Sequence, residues 1–195
     1  MRIPTLLVCA ALAALASCEP RFEQASRMIA GPEPREPVLD RRRTYYLNDT
    51  SRPRLESQVL VFFDGSVLRH GLEREWSESG TLVAEREFAR GEPAGRWRTW
   101  FPSGRPRSES AFGPEPATWS WWYESGQLSS QGPALGGVKQ GRWTAWHENG
   151  VESSEGDYSA GKREGEWSFW NEEGSLLERG EFRADVKVGR WQSGS

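Results

Sequence analysis

From residue 58 onward the chain alternates short aromatic or aliphatic stretches with clusters of polar residues and glycine, and the alternation repeats. Gly95-Arg96-Trp97-Arg98-Thr99-Trp100 returns as Gly141-Arg142-Trp143-Thr144-Ala145-Trp146 and as Gly165-Glu166-Trp167-Ser168-Phe169-Trp170. It begins once more at Gly189-Arg190-Trp191. The second Trp of each unit stands at Trp76, Trp100, Trp122, Trp146 and Trp170, in steps of 24, 22, 24 and 24 residues. Four residues after each comes a glycine (Gly80, Gly104, Gly126, Gly150, Gly174), and eight beyond it stand Phe88, Phe112, Ala134, Tyr158 and Phe182. Five copies of a multi-position pattern, held in register, mark a tandem repeat.

The spacing inside one unit predicts its local structure. A Trp-rich stretch, a polar segment with glycine such as His147-Glu148-Asn149-Gly150, and a second stretch closed by an aromatic make a β-hairpin. The glycine takes a positive φ that a β-branched residue would resist. A further Gly-bearing loop, Ser159 to Gly165 for example, leads into the next unit. The expected fold class is therefore all-β, an elongated and twisted antiparallel meander of tandem hairpins over residues 58–195. Gln58 to Gly65, with Val67 to His70, is expected to cap its N-terminal end. An isolated hairpin is marginal, so each unit depends on its neighbours.

Side chains alternate faces along a strand, so Trp97 and Trp100 point to opposite sides. One row then contains Trp97, Trp119, Trp143, Trp167 and Trp191, joined by the closing aromatics. The other contains Trp76, Trp100, Trp122, Trp146 and Trp170. Equivalent Trp residues stand roughly 10 Å apart, since each unit adds two strands. The second row, together with the extra Trp121, is the candidate binding surface.

Residues 18–57 carry a different composition. They are rich in Pro and Arg, as in Gly31-Pro32-Glu33-Pro34-Arg35-Glu36-Pro37 and Arg41-Arg42-Arg43, and show neither a helical nor a strand period. That predicts a flexible tether. The Arg triplet reads as solvated linker charge or as a contact with anionic lipid headgroups. At the start of the chain, Arg2 precedes an apolar run from Ile3 to Ala14 that is too short to span a bilayer, and residues 1–17 have the proportions of a signal peptide. Leu15-Ala16-Ser17-Cys18 resembles the lipobox of bacterial lipoproteins. The resemblance implies cleavage before Cys18, a lipid on its sulfur, and anchoring in the cell envelope, facing the periplasm or the exterior. Several acyl chains on one cysteine hold a membrane where a single chain does not. Ordinary secretory cleavage after Ala14-Leu15-Ala16 is the alternative.

Composition narrows the chemistry. With 21 Gly and 11 Trp but few Leu, Ile and Val, the core must be thin and largely aromatic. The net charge is −3, with both signs interspersed, which lacks the basic stripe of a nucleic-acid binder. The only cysteines are Cys9 and Cys18, which leaves the mature array no thiol nucleophile, redox pair or zinc–thiolate site. His70 and His147 lie in different units, and Glu78, Glu124, Glu148 and Glu172 recur at equivalent turn positions. Such carboxylates read as solvated turn residues and not as an acid–base pair, which needs two separated environments. The glycines follow hairpin spacing and form no phosphate loop. The expectation is no enzyme, no catalytic residue, no metal and no cofactor.

Units of the form G-x-W-x-x-W-x-x-x-G, closed by an aromatic, resemble the MORN-repeat variant. That repeat is found in bacterial proteins of the YwqK-type antitoxin group, and here it extends from about Gly65 to Trp191. The resemblance implies a β-meander that binds protein or lipid partners. The chain departs from the pattern in its third unit. There the loop Gly113-Pro114-Glu115-Pro116-Ala117-Thr118 is two residues short, Ala117 and Ala134 replace the leading glycine and closing aromatic, and Trp121 is added. Trp121 either fills the space left by a small neighbour or forms part of a binding patch. Three functional expectations follow: a lipid-anchored envelope scaffold for a protein partner, an antitoxin or immunity protein, and a glycan or cell-wall binding module.

Overall fold

The computed structural model describes residues 35–47 and 49–194. Its strands are β1 (Val38–Tyr46), β2 (Asp49–Val61), β3 (Val67–Trp76), β4 (Leu82–Ala89), β5 (Glu92–Trp100), β6 (Pro106–Phe112) and β7 (Ala117–Trp122). They continue as β8 (Leu128–Leu135), β9 (Val138–Lys139), β10 (Gly141–Trp146), β11 (Glu152–Ser159), β12 (Lys162–Trp170), β13 (Leu176–Arg183) and β14 (Val186–Ser193). All 14 form one antiparallel sheet in chain order, with short β9 set beside β8. It is an open all-β meander of hairpin repeats, with β1 and β14 at its edges.

Two kinds of turn build it. Within each repeat, the residue after the second Trp starts a turn closed by glycine: Ser77 N–H donates to Thr81 O and Gly80 N–H to Ser77 O, at 2.8 and 2.9 Å. The same two bonds recur at Phe101, Tyr123, His147 and Asn171. Gly80 has a φ of 86°, a left-handed conformation that side chains resist. Between repeats the turns are shorter than the expected seven-residue loop. Ala160 and Gly161 alone connect β11 to β12, both with positive φ, at 49° and 78°. Such type I′ geometry matches the natural strand twist and needs only two residues. Gly165 therefore belongs to β12, where the ladder steps from Gly156↔Trp167 to Asp157↔Glu164.

The sheet also begins earlier than expected. Residues 38–46 and 49–57 of the anticipated tether are paired strand, because β1 and β2 form a hairpin from Val38↔Val61 to Tyr46↔Asp49. The reason lies in the charges. Arg41 and Arg43 both reach Glu56, on the partner strand, while Arg42 pairs with Asp40. β1 carries charge on both faces and is exposed nearly throughout, so no apolar period marks it. Residues 18–34, Cys18 and the expected leader lie outside the described residues.

Arg43, Glu56, Arg74, Glu85, Arg98 and Glu109 stand opposite one another in a straight file across β1 to β6. Charges alternate in sign along it, the favourable arrangement for cross-strand pairs. Glu85 sits between Arg74 Nε at 2.9 Å and Arg98 Nη2 at 2.7 Å. Hydrogen bonding from Arg74, aided by Arg98, holds its carboxyl below the usual value of 4.5 against the opposing effect of partial burial. A lowered folded-state pKa stabilises the fold above the unfolded value, and that contribution is lost as pH falls through the folded value. Both arginines are more than 40% exposed, so solvent screens the pairs. Glu85→Gln is expected to cost about 0.5–1 kcal/mol at pH 7 and almost nothing at an acid pH where the folded carboxyl is protonated. Urea titrations at both pH values check this, and an equal cost at both would refute it.

Candidate binding face

The face opposite the charged file carries a continuous chain of rings. Phe88, Trp97, Phe112, Trp119, Trp121 and Trp143 follow one another with centroids 5.1, 4.7, 5.2, 5.8 and 5.7 Å apart. Tyr158, Trp167, Phe182 and Trp191 extend it at 6.0, 5.2, 6.1 and 5.1 Å. The closing aromatics thus join the first-Trp row, as the hairpin pattern requires. Trp143, Trp167, Phe88 and Phe182 are each no more than 4% exposed. Among the described residues no second layer covers them; neighbouring rings do, and each such pair adds about 0.5–1.5 kcal/mol beyond area burial.

Backbone contacts lock the ladder. Trp97, Trp119, Trp143 and Trp167 donate their indole N–H to the carbonyls of Glu87, Ala111, Pro133 and Asp157 on the preceding strand, at 2.8, 3.0, 2.8 and 3.1 Å. In the last three units the ring lies flat against a glycine. A Cβ at Gly132, Gly156 or Gly180 would stand 2.4, 2.2 or 2.3 Å from Trp143, Trp167 or Trp191. Those glycines recur every 24 residues, a signal present in the chain and overlooked among so many others. In the first unit the aromatic gives way to a buried carboxylate, Glu73, paired with Arg86 at 3.4 Å.

The structure divides the six candidate Trp residues. Trp121 lies on the ladder face, two residues after Trp119 in β7, where sister hairpins place Glu75, Thr99, Ala145 and Phe169. By strand alternation Trp76, Trp100, Trp122, Trp146 and Trp170 lie on the charged face. All five are half-buried, and among the described residues they do not stack on one another. The Arg98 guanidinium stands 5.8 Å from the Trp100 ring centroid. Their carbonyls tie successive units together: Tyr46 and Tyr123 hydroxyls donate to Trp76 O and Trp146 O at 2.6 and 2.9 Å. His147 does the same, with Nε2 2.8 Å from Trp170 O. It is a turn-edge staple. Among the described residues no three His, Cys, Asp or Glu side chains come together to hold a metal.

The short loop of the third unit leaves a mark. In three units the return turn is pinned to the residue two before the unit's first glycine, with Gly91 N–H donating to Arg69 O at 2.7 Å, Gly161 N–H to Lys139 O at 3.0 Å and Asp185 N–H to Arg163 O at 3.0 Å. The Gly136-Gly137 turn has no such bond among the described residues. Beside it a cavity of about 480 Å³ opens between Phe112, Pro93, Glu92 and Gly113.

Three stretches match the family model of the MORN repeat variant: residues 69–89, 117–133 and 163–184. They coincide with the hairpins β3–β4, β7–β8 and β12–β13. The MORN-like hairpins β5–β6 and β10–β11, outside the matched stretches, share the same turn bonds and the same Trp-to-carbonyl contact. No curated protein matches the chain.

Proposed function

We propose that this chain is a non-enzymatic binding module that holds another protein against the ladder face of its sheet, around Trp121. Repeats of the MORN type generally serve as protein- or membrane-binding modules, and three hairpins here match that repeat. Trp121 carries the reading. It places an indole where three of the four sister hairpins manage with Glu75, Thr99 and Ala145, and it stays half-buried between Trp119 and Trp143. Part of that ring bridges Trp119 and Trp143 where Ala134 replaces the closing aromatic, and its exposed part is left for a partner. Trp121→Ser in the full chain is expected to cost about 2–3 kcal/mol of stability and to leave the hairpins formed. The same change should abolish capture of a partner from envelope extract, with the circular dichroism spectrum unchanged. Loss of the fold, or undiminished capture, would assign Trp121 to packing alone.

The lipobox-like segment supports a lipid anchor at Cys18 in the cell envelope. Palmitate labelling of the full chain should disappear in Cys18→Ala, and labelling that persists would refute the anchor. The ladder geometry disfavours the glycan reading. The rings turn their faces and edges on one another, leaving no row of flat platforms for sugars. No feature of this face favours the antitoxin reading.

A further inference from the structure

Four cations lie on the ladder face, each two residues before the glycine that opens a unit. Arg69, Lys139, Arg163 and Lys187 precede Gly71, Gly141, Gly165 and Gly189. Each stands 4.0 Å from a ring centroid, over Phe88, Trp143, Phe182 and Trp191 respectively. For three of them the sheet also supplies a carboxylate. Glu73 lies 3.9 Å from Arg69, Asp185 3.0 Å from Arg163, and Glu178 2.7 Å from Lys187.

Lys139 has no carboxylate partner among the described residues. The positions that would supply one by repeat equivalence hold Trp143 in place of Glu73, Gly161 in place of Asp185 and Ser130 in place of Glu178. Rings surround the ammonium instead: Trp143 at 4.0 Å, Tyr158 at 4.9 Å and Trp121 at 5.8 Å. The extra Trp of the third unit and the uncompensated cation of the fourth therefore meet at one spot.

We propose that Lys139, framed by Trp121, Trp143 and Tyr158, receives the carboxylate of an acidic side chain on a protein partner, an inference that rests on the protein-binding reading above. The ligand completes what the repeat provides in the other three units. Burial against the rings lowers the lysine pKa, the direction expected of a cation that has lost water without gaining a counter-charge. In such a half-desolvated place an ion pair is worth more than on open surface. The ring planes favour a side chain over a sugar. Trp119 and Trp121 meet at 69°, Trp121 and Trp143 at 44°, and Trp143 and Tyr158 at 78°. A pyranose finds no flat face there, whereas a methylene stem fits among tilted rings.

The chain contains three lysines, Lys139, Lys162 and Lys187, so ε-carbon-labelled lysine gives three resolvable NMR signals in the full chain. Titration with N-acetylglutamate α-amide should move the Lys139 signal saturably, and about tenfold more than that of Lys162. The neutral glutamine analogue should leave it in place, and Trp121→Ser should weaken the response. Equal movement of Lys139 and Lys162, or an equal response to the glutamine analogue, would overturn the proposal. Saturation by glucuronate without a response to the glutamate derivative would assign an acidic sugar and also overturn it. Folding does not depend on this cation, because Pro93 occupies the equivalent place before Gly95. Lys139→Gln should therefore keep the fold and lose at least tenfold in partner capture, with Lys139→Arg partly restoring it. If the unaltered chain captures no protein, the protein-binding reading fails, while the lysine titration still decides whether the site takes a carboxylate.

Discussion

Gly156→Ala is expected to destabilise the sheet by about 3 kcal/mol, although nothing in its backbone conformation forbids alanine. Gly156 is a β11 residue outside the left-handed region, and in an ordinary strand alanine would be the better choice by about 0.5–1 kcal/mol. The cost comes from the neighbour. Its Cβ would lie 2.2 to 2.4 Å from three atoms of the Trp167 ring. That ring has nowhere to retreat, because Tyr158 and Phe182 hold it at 5.2 and 6.1 Å and its N–H is bonded to Asp157 O at 3.1 Å. Gly165→Ala provides the contrast. There φ is 71° and open space surrounds the position, so only backbone strain of about 1 kcal/mol is expected. Urea unfolding of the two variants measures the difference, and equal costs would mean that Trp167 is not clamped.

Trp167→Ala should cost about 4 kcal/mol, against about 2 kcal/mol for Trp170→Ala three residues further along the same strand. Trp167 is 4% exposed and touches Tyr158, Phe169 and Phe182 within 6.1 Å. Trp170 is half-buried on the charged face, with no ring neighbour among the described residues. Units of a repeat array are stabilised chiefly by their nearest neighbours, so a lesion acts locally. Without Trp167 the ladder is cut between Tyr158 and Phe182. The strands β12 to β14 should then lose hydrogen-exchange protection at a lower urea concentration than β3 to β8. Uniform loss across the sheet, or equal costs for the two Trp variants, would contradict a ladder of nearest-neighbour contacts.

Much of this fold is legible in the chain because its determinants are local. The glycine four residues after each second Trp closes a turn whose bonds span five residues, so its spacing alone identifies the hairpin. Strand alternation separates Trp97 from Trp100, and the closing aromatics fall into the first row as that alternation requires. The same reasoning failed where charge replaced apolarity. Arg41 and Arg43 resemble linker residues until Glu56 is seen opposite them. The candidate surface also combines two faces, because Trp121 lies on the ladder face and the other five Trp residues on the charged one.

The sequence by itself determined the repeat, its hairpins, its turn glycines and the aromatic character of its core. These rest on a side-chain period of two and on turns that close within a few residues. Only the tertiary structure decided which glycines lie beneath indole rings, where the sheet begins, and which cation lacks a carboxylate. Each depends on contacts between residues distant along the chain, 22 positions apart for Arg163 and Asp185. The steps in register at the glycine bulges set those contacts. A bulge shifts one strand against the next without disturbing the alternation along either, so counting along the chain cannot reveal it.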